Sequence, residues 1–107
     1  MPTNSTTLPI VLAGVPKTNY SLYHRTRFLV GDPTSFIQLI GTTDDHTMFI
    51  CRDIELQRAA QYACADRVSC PADHSPAAGL SGDRETATAQ ATAEYLTKHA
   101  ITEIITD

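Results

Sequence analysis

With 107 residues, 42% of them apolar and 19% charged, the chain is long enough for one compact domain with a modest core, too short for two, and too apolar to be disordered. Eight Lys and Arg against 12 Asp and Glu leave a formal net charge of −4, and there is neither a basic patch nor an aromatic-plus-Arg run, which speaks against a nucleic-acid partner. No apolar run nears membrane-spanning length, residues 1–7 lack a basic start ahead of an apolar stretch, and Cys51, Cys64 and Cys70 are too irregularly spaced for a disulfide framework; a cytoplasmic protein with free thiols and no membrane partner is expected.

Along the chain, Leu8, Ile10, Val11 and Leu12 predict a first strand over residues 8–13, closed by Gly14 and Pro16. Asn19 is placed to cap a short helix through Tyr20, Leu22, Tyr23 and His24. Residues 27–30 read as a second strand, stopped by Gly31, Asp32 and Pro33. Residues 35–41 and 47–52 pair naturally as a hairpin across the polar run Thr42, Thr43, Asp44, Asp45 and His46. Adjacent apolar residues on both of these strands predict a sheet covered on both faces.

Asp53 reads as the N-cap of a helix, with Glu55 in its first turn and Ile54, Leu56, Ala60 and Ala63 near one face. Residues 67–70 predict a short strand, and Pro71, Pro76, Gly79 and Gly82 mark residues 71–82 as a loop. A longer helix follows over residues 84–99, capped by Ser81 or Asp83, with Ala89, Ala93, Leu96 and Ala100 toward the sheet. Ile101, Ile104 and Ile105 predict a last strand over residues 101–106. A hairpin followed by alternating strands and helices implies one α/β domain, residues 1–107, with a mixed sheet and helices packed on it.

Several residues could carry chemistry. Cys64, Cys70 and His74 are zinc-ligand types, but their spacing supplies no closely spaced pairs, and two part-buried thiols beside a loop histidine account for them. Asp44, Asp45 and His46 could bind a cation or move a proton, or simply form the tip of the hairpin. His24, Arg25, Arg27 and Arg52 could gather near the strand ends to bind a carboxylate, stay solvated, or meet another domain. No Gly-rich phosphate loop, nucleophile elbow or H-E-x-x-H helix occurs in the sequence.

Three stretches resemble a known family: Arg27-Phe28-Leu29-Val30-Gly31-Asp32-Pro33, then Phe36-Ile37-Gln38-Leu39-Ile40, then Thr47-Met48-Phe49-Ile50-Cys51-Arg52-Asp53. Together with the short segment before them and the alanines after Asp53, they are similar to the N-terminal domain of the creatinase, prolidase and aminopeptidase P superfamily. Glu55 departs from the pattern, since many relatives carry Arg at that place. The resemblance implies a three-layer α/β/α domain with a mixed sheet and ribonuclease H-like architecture. It further implies a non-catalytic domain of a metal-dependent Xaa-Pro peptidase, which shapes the substrate cleft and supports homodimers. Two divalent metals (Mn, Co or Zn) would then sit in a separate C-terminal "pita-bread" domain, held by two Asp, one His and two Glu, and none of those ligands carries over onto this chain. On this view His24, Arg25, Arg27 and Arg52 are substrate-cleft or interface residues. A stand-alone module binding a small ligand or a protein is the alternative.

Overall fold

A computed structural model describes residues 8–41 and 44–106; the polar start at residues 1–7, Thr42 and Thr43 of the hairpin linker, and Asp107 lie outside the described residues. The elements are β1 (Ile10–Gly14), α1 (Tyr20–Thr26), β2 (Thr34–Leu39), β3 (His46–Ile50), a 3-10 turn (Asp53–Glu55), α2 (Leu56–Tyr62), β4 (Arg67–Ser69), a second 3-10 turn (Pro71–His74) and α3 (Arg84–Lys98). They form a mixed α/β domain on a four-stranded sheet of order β1-β2-β3-β4. The first two pairings are antiparallel and the third is parallel, reached by a crossover through α2.

The pleat divides the apolar residues between two faces. Leu12, Phe36, Phe49 and Cys51 point to one side, where they close a core with Leu22 of α1, Ala59 of α2, and Phe28 and Val30. Val11, Ile37, Leu39, Met48 and Ile50 point to the other, against Ala91 and Tyr95 of α3. β2 and β3 therefore need apolar residues at consecutive positions, and the pairs Phe36-Ile37 and Phe49-Ile50 reflect this directly. Phe28 and Phe49 meet edge to face at 5.8 Å between ring centroids.

α1 starts where Asn19 accepts a hydrogen bond from the Leu22 amide at 3.1 Å. It ends at Arg27, which takes a left-handed conformation (φ 53°) and donates its backbone N–H to Tyr23. That turn corrects the second predicted strand. Phe28 and Val30 are buried and Leu29 is 57% exposed, so the alternation is present, yet residues 27–30 join no ladder. The pattern reports which side is buried, not which backbone is paired.

Two helix faces also need correction. Asp53 opens a 3-10 turn and accepts from the adjacent Ile54 amide at 2.9 Å instead of capping α2. The buried stripe of α2 runs Leu56, Ala59 and Ala63, while Ile54 is 68% exposed and Ala60 is exposed, because the tighter 3-10 winding puts Ile54 out of phase with the helix that follows. On α3 the residues facing the sheet are Ala87, Thr88, Ala91, Thr92 and Tyr95, whereas Ala89, Ala93 and Ala100 are exposed and Leu96 is half-buried. Asp83 caps this helix through the Thr86 amide at 2.9 Å, and that bond holds the Asp83 carboxyl below its usual range. The last predicted strand shrinks to a single parallel bridge between Ile105 and Ile10, with Val11 N–H donating to Ile105 and Ile105 N–H to Pro9, both at 2.8 Å.

Candidate functional site

The parallel pair β3 and β4 ends at Ile50 and Ser69, and the chain turns away at both ends into 3-10 turns. Beyond these ends lies a cavity of about 260 Å³. Such a crevice, outside the carboxyl ends of parallel strands, is a recurrent binding position in α/β sheets. Four segments build it: Asp32 and Pro33 ahead of β2, Arg52 and Asp53 after β3, Cys70 to Ala72 after β4, and Arg84, Ala87 and Thr88 at the start of α3.

Its charges are interlocked. The Arg84 and Arg52 guanidiniums approach the same Asp32 oxygen, at 3.4 and 3.8 Å. The Arg52 side chain is 32% exposed, and among the described residues no hydrogen bond holds its guanidinium. Cys70 is buried beside the cavity, and its thiol pKa is pushed up, mainly by that burial.

The four residues singled out in the sequence do not gather. Arg52 alone lines this cavity. Arg25 donates to the Gln38 side chain and lies over the Phe36 ring, 5.2 Å from its centroid. Arg27 folds back on the end of α1, donating to the His24 carbonyl at 2.9 Å and approaching the His24 ring at 3.3 Å. His24 and Arg27 are exposed. Asp32 read in the sequence only as part of a strand stop, and Arg84 only as a helix start. Nothing in their spacing of 52 residues signals that they meet.

A second polar group surrounds Tyr95 on the α3 side of the sheet. His46, which opens β3 and is buried, hydrogen-bonds the Tyr95 hydroxyl, approaches the Arg67 guanidinium at 3.2 Å and the Asp44 carbonyl at 2.7 Å. Arg67 in turn grips both Asp44 carboxylate oxygens at 3.1 and 3.0 Å. His74 meets Ser69 Oγ at 2.6 Å and the Tyr95 ring edge to face at 5.1 Å, and His99 lies 4.3 Å from that ring. Burial raises the Tyr95 pKa while the Arg67 guanidinium pulls it down, and burial lowers the His74 pKa, with Lys98 and His99 pushing the same way. These contacts pin β3, β4 and α3 together, and none of these residues lines the cavity outside β3 and β4.

The metal-type groups fall apart in space. Cys64 is exposed and its amide bonds the Thr26 carbonyl, Cys70 is buried near Asp73, and His74 is committed to Ser69. Among the described residues, no three His, Cys, Asp or Glu are placed to hold a metal ion. Among the described residues no helix is long and apolar enough to cross a membrane. No family model, curated protein or solved structure matches the chain.

Proposed function

We propose that the chain is the non-catalytic N-terminal domain of a creatinase/prolidase-type Xaa-Pro peptidase. It would shape the substrate cleft and support homodimers beside a C-terminal catalytic domain in the cytoplasm. One observation carries this reading. The three stretches that resemble the family close on one another in a single core, through Phe28 and Val30, Phe36, and Phe49 and Cys51, with Ala59 from the alanines that follow Asp53.

On this reading the finer architecture is the three-layer, ribonuclease H-like one, with α1 and α2 in one outer layer and α3 in the other. Tyr20, Leu29, Ile54 and Tyr62 on the α1 and α2 side are largely exposed and offer apolar contact area to a neighbouring domain. The two divalent metals belong to that domain, as do the reacting groups. His24, Arg25, Arg27 and Arg52 serve the substrate cleft or the interface.

The test compares residues 1–107 with a protein extended through the coding sequence after Asp107, assayed on a proline-containing dipeptide with Mn²⁺ added. Turnover is expected only from the longer protein, with the metal ligands in the added part. Turnover by residues 1–107 alone, or added sequence with no two-metal domain, defeats the reading. The cavity beside Arg52 favours a second reading, a small-ligand-binding module, which predicts a saturable site whatever lies next to this chain.

A further inference from the structure

We propose that the cavity outside β3 and β4 binds a small zwitterion, a free α-amino acid, through Arg52 and Arg84 at its carboxylate and Asp32 and Asp53 at its ammonium. This goes beyond the N-terminal-domain reading, which stands even if the cavity binds nothing.

The chemistry of the walls selects the ligand. Two guanidiniums and two carboxylates line the cavity, so its charges cancel. A simple anion would leave the two carboxylates facing it, and a simple cation the two guanidiniums; a molecule carrying both signs satisfies both. The charges are also incompletely used. Arg52 and Arg84 crowd one oxygen of Asp32, at distances longer than a strong charge-assisted bond, and among the described residues no hydrogen bond holds the Arg52 guanidinium. A ligand carboxylate accepting a bidentate pair from Arg52 would draw it from Asp32 and leave that carboxylate for the ammonium. Asp53 turns one oxygen to the Ile54 amide, and among the described residues its other oxygen accepts no hydrogen bond.

Size and the remaining wall point the same way. About 260 Å³ lies below the roughly 300 Å³ at which drug-sized pockets begin, which suits one amino acid better than a peptide. Pro33, Pro71 and Ala87 supply apolar surface for a modest side chain.

The experiment titrates the protein with L-valine, L-valinamide and N-acetyl-L-valine and follows the backbone amide signals of Asp32, Arg52, Asp53, Ala72 and Thr88 by NMR. Valine is expected to give saturable shifts at these positions and to bind at least about tenfold more tightly than the amide or the acetyl form. Arg52→Gln should weaken valine about tenfold and erase its advantage over valinamide; Asp32→Asn should erase its advantage over N-acetylvaline. Arg84→Gln, at a more exposed guanidinium, gives a smaller loss and stands in for Arg52→Gln if that variant does not fold. No saturable shifts up to the solubility of valine, equal binding of acid, amide and acetyl forms, or undiminished binding by both arginine variants would each overturn the proposal.

Discussion

Ser35 is fully buried, and among the described residues its hydroxyl has no hydrogen-bond partner. It shares the α3 side of β2 with Ile37 and Leu39 by the pleat. A buried hydroxyl without a partner carries its full desolvation cost, so Ser35→Ala is expected to hold stability or raise it by about 1 kcal/mol. Urea unfolding would show this as an unchanged slope with a midpoint at or above that of the parent; a clear drop in midpoint would mean that the hydroxyl is bonded after all. Thr88 and Thr92 show the opposite case. Both are buried on α3, and each returns its hydroxyl to a carbonyl four residues earlier, Arg84 and Thr88, at 2.8 Å. Satisfied in this way, a threonine can face a sheet as an alanine does.

That local bonding explains why the phase of α3 was not legible in the sequence. A helix of alternating Ala and Thr offers several stripes of small residues, and the rule that apolar residues face inward favours the alanines at 89 and 93 over the threonines at 88 and 92. The structure selects the stripe that brings Tyr95 to His46, a polar contact no periodicity encodes. The two stripes are separable by substitution. Ala91→Leu forces added methylenes against Val11, Ile37 and Ile50 and should cost about 1–3 kcal/mol, whereas Ala93→Leu, on the exposed face, should change stability little. Thermal unfolding of the pair decides it, and a larger loss at Ala93 than at Ala91 would restore the predicted face. The hairpin and the α1 cap were legible because their signals are local: two apolar runs around a polar turn, and an Asn one residue ahead of its helix. The segment at 27–30 was not, because strand pairing depends on a neighbour that sequence alternation does not name. The candidate site was legible least of all. Arg52 was picked out by type, but Asp32, the carboxylate it shares with Arg84, lies in a remote turn, and Arg84 opens α3.

Across the molecule, the sheet presses Cys51 into the core beneath α1 and α2, and its thiol is raised from 9.0 to about 12, chiefly by burial. A raised pKa keeps the proton on the folded chain at a pH where the unfolded chain has lost it. The resulting stability is therefore complete below about 9, where both states are protonated, and is lost as pH climbs toward about 12. Unfolding free energy should fall by roughly 1.4 kcal/mol per pH unit across that window from this group alone, and Cys51→Val should flatten the slope. Denaturant titrations at stepped alkaline pH would measure it; an identical slope in the variant would assign the loss to other groups.

The bridge between Ile105 and Ile10 has a bearing on how this unit can be handled. It sets Ile10 and Ile105 next to each other on the outer border of β1, running in the same direction. A short flexible connection between those points, with the backbone opened instead in the loop around Gly79, would give a circularly rearranged protein that keeps every strand pairing among β1, β2, β3 and β4.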